Sequence, residues 1–379
     1  MGARFGTDPA LLKKRGIMLY LAFLTSLMAL CAALFLSHPR LNIRYAHLAL
    51  PPLGVLSYLF VVLLRHLESN VRPETGMLYS TIGVGTIITL FRGFLIALLS
   101  LFLAAPAWVP ASGWLPSALY LAALVADYFD GYAARRTRHY SRLGAILDME
   151  VDGLGVLIAA MLLVTRNIMS PWFLLVGGAR YLFVLGSWYR SKVGKPLFPL
   201  EHTIRGRVLA GFQMGFMGVA LMPAVGDAFL RVAGTVYAFP FLANFLVDWL
   251  LVAGHLKREN RLYRSVAAGL IRVFALGVPL LLRMAAVAGL LFTARAAETA
   301  PAVSVVWGVL LAAIAAGFFS RLAALGALAF LIIAGSAAWL SSSTLFMQTV
   351  VLALCGVTLV GPGPFALLNL EALPFVKRL

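Results

Sequence analysis

Apolar residues occur along this chain in long, nearly uninterrupted runs that are separated by short polar segments. Runs of about 20 apolar residues match the thickness of the hydrocarbon core of a bilayer and predict membrane-spanning helices. The pattern therefore predicts an all-α, polytopic integral membrane protein with twelve spans. The predicted spans are 17–37, 45–64, 80–103, 113–130, 146–165, 170–188, 208–223, 231–253, 273–293, 302–319, 322–340 and 345–363.

The composition agrees with a chain that has lipid as its solvent. Hydrophobic residues make up 62% of the chain and charged residues 12%, which no soluble core could accommodate. The first apolar run follows Lys13, Lys14 and Arg15, but its length of about 20 residues exceeds the hydrophobic part of a cleavable signal. We therefore expect a retained span. Cys31 and Cys355 lie inside apolar runs, where we expect unreactive thiols.

The formal charge of +17 comes from basic residues in the loops between the apolar runs. Loops rich in Lys and Arg are typical of the cytoplasmic side of a membrane protein. The topology is therefore tested by alternating the twelve spans from a cytoplasmic N-terminus and comparing the Lys and Arg content of the loops on the two sides. The predicted inside segments hold most of the Lys and Arg, so both termini are expected in the cytoplasm of a bacterial-type cytoplasmic membrane. Anionic lipid and phosphate explain this charge better than nucleic acid does, and no nucleic-acid partner is expected.

Four aspartates in the segment DYFDGYAARRTRHYSRLGAILDMEVD, residues 127–152, carry the strongest chemical pattern in the chain. Asp127 and Asp130 are three residues apart, and Asp148 and Asp152 are four apart, so each pair projects from one face of its helix. Both pairs lie at predicted cytoplasmic helix ends, where they can converge. Four unpaired carboxylates repel one another, and their hard oxygen atoms suit Mg²⁺ or Mn²⁺, so one or two such ions are expected.

Small residues and an arginine accompany the aspartates. Gly131 and Ala134 lie beside the first pair, and Gly144 lies one turn before Asp148, so all three leave space for a ligand against the backbone. Arg135 can hold a diphosphate through charge-assisted hydrogen bonds. The alternative is that the aspartates pair structurally with neighbouring arginines, which leaves the small residues unexplained. Those arginines are Arg135, Arg136, Arg138 and Arg142.

Written as D-x2-D-G-x2-A-R-x8-G-x3-D-x3-D, the segment resembles the signature of the CDP-alcohol phosphotransferases at every fixed position. The resemblance implies a dimeric six-helix core with a cytoplasmic site, which cleaves the diphosphate of a CDP-alcohol and releases CMP. It implies that Asp127, Asp130 and Asp148 bind metal and that Asp152 is the general base and also contacts the metal, with two ions expected. The implied cytidine-diphosphate pocket comprises Gly131, Ala134, Arg135 and Gly144.

Members of this family often carry an Asn-x-x-Thr-x-x-Arg element on the first core helix. This chain keeps Thr89 and Arg92 but has Thr86 in the Asn position, and the resemblance places Thr89 and Arg92 at the CDP site. An arginine so deep in a span is costly without a partner, and the aspartate cluster is the expected one. For the acceptor, Arg180 and Arg207 are candidate ligands of a phosphorylated alcohol. Ordinary positive-inside charge is the alternative for both.

Three further polar residues receive a structural interpretation. Glu150 lies two residues from each of Asp148 and Asp152 and is interpreted as a loop or helix-end charge on another face. His139 and His202 are interpreted as solvated loop residues rather than catalytic ones.

Three domains are predicted: two N-terminal helices with a connector at 1–75, the six-helix core at 76–258 and a four-helix accessory bundle at 259–379. The ending GVTLVGPGPFALLNLEAL is faintly similar to the DoxX-like membrane family, although the polar ending of that family is missing.

The expected function is transfer of a phosphatidyl group from CDP-diacylglycerol to a small polar alcohol, in phospholipid biosynthesis. One alternative is a CDP-choline or CDP-ethanolamine enzyme that acts on diacylglycerol. Another is an intramembrane prenyltransferase, which also uses aspartates and Mg²⁺ but does not require the Gly131, Ala134 and Arg135 set. A transporter or membrane scaffold with an ion site is the non-enzymatic alternative.

Overall fold

The structure, a computed structural model, describes residues 9–37, 47–72, 76–104, 113–200, 204–223, 225–256, 278–296, 301–316, 320–334 and 345–360. Each of the twelve predicted spans overlaps an α-helix among these residues. The helices are α1 Pro9–Ser37, α2 Leu50–Arg65, α3 Val84–Ser100, α4 Leu115–Arg136, α5 Arg142–Thr165, α6 Leu174–Lys192, α7 Ile204–Ala220, α8 Asp227–Val252, α9 Val278–Ala296, α10 Pro301–Ala316, α11 Ser320–Ala334 and α12 Leu345–Val360.

The described residues contain no sheet, so the all-α prediction is confirmed for them. Four of their helical segments are long and apolar enough to cross a membrane, which agrees with an integral membrane protein. These segments are Ala10–Ala33, His47–Arg65, Val84–Leu103 and Asp227–Val252. The remaining helices are shorter or more charged, and their crossing of the bilayer stays a prediction.

The chain forms two compact units, Met1–Arg166 and Asn167–Leu379. Each unit has its own packed helices. The division into domains 1–75, 76–258 and 259–379 stays a prediction.

Helix α3 is the centre of the first unit and packs against α2, α4 and α5. Two of its glycines allow close approach of the neighbours. A Cβ atom at Gly85 would lie 2.9 Å from the carbonyl oxygen of Asp130 on α4, so only glycine fits at this crossing. At Gly93, the space that a Cβ would need is filled by Leu59 of α2. These contacts bring the three neighbours of α3 within reach of its polar residues.

The described residues of the connector between α2 and α3 form a short hairpin. Val71 and Leu78 form an isolated antiparallel bridge, and the Asn70 side chain donates to the Thr81 carbonyl at 2.9 Å. The Arg15 guanidinium on α1 donates to the Ser80 carbonyl at 2.8 Å. The hairpin is therefore tied both to itself and to the first helix.

In the second unit, α8 packs against α6, α7 and α12. Near its middle, the Tyr237 hydroxyl on α8 lies 2.8 Å from Thr358 Oγ1 on α12, and both side chains are buried. This hydrogen bond joins the C-terminal helices to α8. The glycine-proline-glycine ending and the residues after it lie outside the described residues.

Candidate metal and phosphate site

The four aspartates lie on the two arms of a helical hairpin. Asp127 and Asp130 are on α4, Asp148 and Asp152 are on α5, and a tight turn joins the helices. The Ser141 side chain begins α5 by accepting a hydrogen bond from the Gly144 amide at 3.1 Å, which is a standard N-cap. Both helices also pack against α3, so their aspartates meet at that helix.

All four carboxylates converge on the guanidinium group of Arg92, which projects from α3 and is 2% exposed. Arg92 Nη1 lies 2.7 Å from Asp127 Oδ1, 2.6 Å from Asp130 Oδ2 and 2.5 Å from Asp148 Oδ1. Arg92 Nη2 lies 2.5 Å from Asp152 Oδ1. The expectation that Arg92 pairs with the aspartate cluster is confirmed, and one arginine serves all four members.

The carboxylates differ in their access to the surroundings. The side chains of Asp127, Asp148 and Asp152 are 46%, 42% and 38% exposed, whereas that of Asp130 is 10% exposed. Asp130 also accepts a hydrogen bond from Thr89 Oγ1 at 3.0 Å. Arg92 and Asp130 thus form the buried floor of the site, and the other three aspartates form its open side.

The open side fits a divalent cation. Asp127, Asp148 and Asp152 each offer a carboxylate oxygen, and these three atoms lie within 4.8 Å of one another. Oxygen-only ligand sets favour Mg²⁺ and Mn²⁺ over metals that prefer nitrogen or sulfur. Arg92 contacts one oxygen of each of these carboxylates, which leaves the second oxygen of each as a candidate metal ligand. Ligation by Asp130 stays a prediction.

The small residues of the motif mark close contacts around the hairpin. A Cβ atom built on Gly144 would lie 3.1 Å from Thr86 Oγ1, and one built on Gly131 would lie 3.3 Å from a nitrogen of Arg135. Ala134 faces Gly85 of α3, with 3.0 Å between its Cβ and a Cβ built there. Gly144 and Ala134 therefore have packing reasons for their size, and their contact with a nucleotide stays a prediction.

The acceptor candidates lie in the second unit. Arg180 is half-buried on α6, and Arg207 is exposed on α7. Their relation to the aspartates stays a prediction. Arg190, in the last turn of α6, donates to the Ala253 carbonyl at 2.8 Å and so ties the end of α6 to the end of α8. His202 lies outside the described residues.

Two sequence interpretations are wrong. Glu150 lies well inside α5 rather than at a helix end, and it accepts a hydrogen bond from the Tyr58 hydroxyl of α2 at 2.8 Å. His139 is half-buried rather than solvated, because its ring stacks on Tyr79 at a centroid distance of 3.7 Å. Burial, and secondarily the charge of Arg72, lower the pKa of His139. Both errors concern contacts with segments that precede the motif by many residues.

Residues 83–253 match the family model described as CDP-alcohol phosphatidyltransferase. Three similar curated proteins are each named CDP-diacylglycerol--glycerol-3-phosphate 3-phosphatidyltransferase. The protein from Cereibacter sphaeroides is 38% identical over 66 residues, which are 17% of this chain and 30% of that protein. Those from Salmonella choleraesuis and Escherichia coli K12 are each 40% identical over 90 residues, 24% of this chain and 47% of those proteins.

The matched segments span less than half the length of these relatives. No solved structure matches the chain. The four aspartates, Arg92 and Thr89 all fall inside the segment that the family model covers.

Proposed function

We propose that the protein transfers a phosphatidyl group from CDP-diacylglycerol to a small polar alcohol and releases CMP. The match of residues 83–253 to the CDP-alcohol phosphatidyltransferase family model supports this reaction class. The observation that carries the proposal is the convergence of four carboxylates from α4 and α5 on Arg92. The names of the curated relatives support this donor, and they make glycerol 3-phosphate the first acceptor to test.

The charge of the site supports a metal-dependent reaction. Four carboxylates and one guanidinium leave a formal charge of minus three, which would repel a diphosphate. One divalent ion on Asp127, Asp148 and Asp152 would leave minus one, and two ions would leave plus one. Bound Mg²⁺ or Mn²⁺ would offset the negative charge of the carboxylates, so that a diphosphate could dock, and would stabilise the charge that develops on the departing CMP.

Asp152 is the residue that we propose as the general base. Its Oδ1 accepts from Arg92, and its side chain is 38% exposed, so its second oxygen can reach an incoming hydroxyl group. The acceptor oxygen attacks the phosphorus that carries diacylglycerol, and a new P–O bond forms. The P–O bond to the cytidylate breaks, its electron pair leaves with CMP, and the hydroxyl proton passes to Asp152.

The remaining residues are assigned to binding. Arg135, at the C-terminal end of α4, is proposed to bind the diphosphate, and Gly131, Ala134 and Gly144 to line the nucleotide pocket. Thr89 and Arg92 are proposed to lie at the CDP site, where both hold Asp130 and Arg92 also holds the other three carboxylates. Arg180 and Arg207 are proposed acceptor ligands. A homodimer with its site on the cytoplasmic face is proposed as well.

The direct test is CMP release by the purified protein from CDP-diacylglycerol with Mg²⁺ or Mn²⁺. Glycerol 3-phosphate, inositol phosphate, inositol and serine are offered as acceptors, and Asp152→Asn is assayed in parallel. CMP formed with one acceptor and lost in the variant supports the proposal and identifies the substrate.

Other outcomes would contradict it in distinct ways. Turnover of CDP-choline or CDP-ethanolamine with diacylglycerol, but not of CDP-diacylglycerol, would assign the other donor class. Metal binding without CMP release from any CDP-alcohol would favour a transporter or scaffold with an ion site.

A further inference from the structure

Helix α2 lies outside the segment matched by the family model, yet it packs against two helices that form the site. Its neighbours are α3, which carries Arg92, and α5, which carries Asp148 and Asp152. The contacts involve two adjacent residues of α2, Tyr58 and Leu59. Tyr58 contacts Glu150, which lies between Asp148 and Asp152, and Leu59 lies against Gly93, which is next to Arg92.

Leu59 packs against α3 at Gly93, where Val151 of α5 also comes close. It is 2% exposed, and its side chain occupies the space that a Cβ atom at Gly93 would need. A Cβ there would also lie 3.4 Å from Val151 Cγ2. Gly93 follows Arg92 on α3, and Val151 precedes Asp152 on α5. Leu59 therefore packs at the place where the α3 backbone next to Arg92 approaches the residue next to Asp152.

Tyr58 contacts the opposite face of the aspartate helix. Its hydroxyl donates to Glu150 Oε2 at 2.8 Å, and Glu150 lies midway between Asp148 and Asp152. Since two residues along a helix turn the side chain by about 200°, Glu150 points away from Arg92 while the aspartates point toward it. The hydrogen bond to Tyr58 thus resists rotation of α5 about its own axis, and such rotation would withdraw both aspartates from Arg92.

We infer that α2 is a positioning element for the aspartate site, acting through Leu59 on the spacing of α3 and α5 and through Tyr58 on the rotation of α5. The expected effect of α2 on catalysis rests on the proposed function. The expected effect of α2 on metal binding does not require that function. Small displacements of ligand groups are costly, because coordination and in-line transfer both demand precise geometry.

The chain offers a matched pair of variants for the test. Tyr58→Phe removes the hydroxyl that reaches α5. Tyr20→Phe removes a similar hydroxyl on α1. That hydroxyl lies 3.3 Å from Ser57 Oγ on α2, so this hydrogen bond joins α1 to α2 and does not involve α5. Mn²⁺ binding is measured on the purified full chain, together with thermal unfolding and the kinetics of CMP release.

We expect Tyr58→Phe to weaken Mn²⁺ binding about threefold to tenfold, the range for losing one hydrogen bond, and to lower kcat more than it raises KM. Tyr20→Phe should leave Mn²⁺ binding within about twofold of the parent protein. Equal Mn²⁺ affinities in the two variants would overturn the inference. If the parent releases no CMP but Tyr58→Phe still weakens Mn²⁺ binding, the positioning role stands and the proposed transfer does not.

A second pair tests the packing contact independently of the hydrogen bond. Gly93→Ala places a methyl group against Leu59, and Leu59→Ala removes the side chain that it meets. Each single change should weaken Mn²⁺ binding, and the double variant should bind at least as tightly as Gly93→Ala alone because the methyl group then has space. Losses that simply multiply in the double variant would show that Leu59 does not set the spacing.

Discussion

Replacing Arg92 with glutamine tests whether the site depends on its buried cation. The change leaves four carboxylates facing one another without the guanidinium that contacts each of them at 2.5–2.7 Å. Removing one partner of a buried ion pair costs about 3–5 kcal/mol. Three of the carboxylates are more than one-third exposed, which screens part of their repulsion, so we expect about 3 kcal/mol.

The measurement is unfolding of the purified protein in mixed micelles, with EDTA and with added Mn²⁺. In EDTA, Arg92→Gln should be less stable than the parent by the amount given above. Arg92→Lys should lie between them, because one ammonium group keeps the charge but cannot reproduce the two-nitrogen contact. Added Mn²⁺ should stabilise Arg92→Gln more than the parent, since a divalent cation replaces the missing charge.

Arg231→Gln is the matched control. Arg231 is 59% exposed on α8, and its ion pair with Asp227 is 3.9 Å long, so its loss should cost about 1 kcal/mol or less. Equal stabilities of Arg92→Gln and the parent in EDTA would refute the reasoning. A loss that Mn²⁺ does not reduce would show that Arg92 contributes packing rather than charge.

Three further predictions concern the hairpin and the helix crossing. Asp152→Asn should lower the rate of CMP release about 10²–10⁴-fold while leaving the unfolding midpoint nearly unchanged, and a rate within tenfold of the parent would exclude Asp152 as the base. Gly85→Ala should abolish tight Mn²⁺ binding, measured by titration, because its methyl group would meet the Asp130 carbonyl; unchanged binding would mean that α3 can shift without loss. Ser141→Ala should lower the stability by about 1 kcal/mol in micelle unfolding, as expected for a lost N-cap, and no change would show that the Gly144 amide finds another acceptor.

The apolar runs predict where helices occur among the described residues, but the ends of those helices differ from the ends of the runs. Helix α1 begins at Pro9, well before the apolar run, because Lys13, Lys14 and Arg15 are compatible with a helix although not with hydrocarbon. Helix α4 likewise continues to Arg136. Hydropathy marks the residues that lipid can surround, whereas backbone hydrogen bonding decides where the helix stops.

The site was predictable where one helix supplies both members of a pair. The spacing of Asp127 with Asp130, and of Asp148 with Asp152, fixes their shared faces within each helix. The partner of Arg92 was also predictable, because a deep arginine needs a negative charge. The four-way contact was not, since it depends on how closely α3 approaches α4 at Gly85.

Contacts with preceding segments explain the wrong interpretations. The interpretation of Glu150 takes account of its own helix alone, whereas the hydroxyl that donates to it lies 92 residues earlier in the chain. The interpretation of His139 as solvated follows from its place in a loop, whereas its ring stacks on Tyr79 of the connector hairpin. The hydroxyl of Tyr58, which lies inside an apolar run, is the feature of the sequence that could have indicated a hydrogen-bond partner for Glu150.

The hydrogen bond between Tyr237 and Thr358 can form only late in the synthesis of the protein. The two residues are 121 positions apart, so α8 leaves the ribosome long before α12 is synthesised. Until then, the buried Tyr237 hydroxyl of α8 lacks its Thr358 partner in the hydrocarbon. The membrane-inserted chain therefore completes the surface of α8 late in translation, after the helices of the aspartate hairpin have already been made.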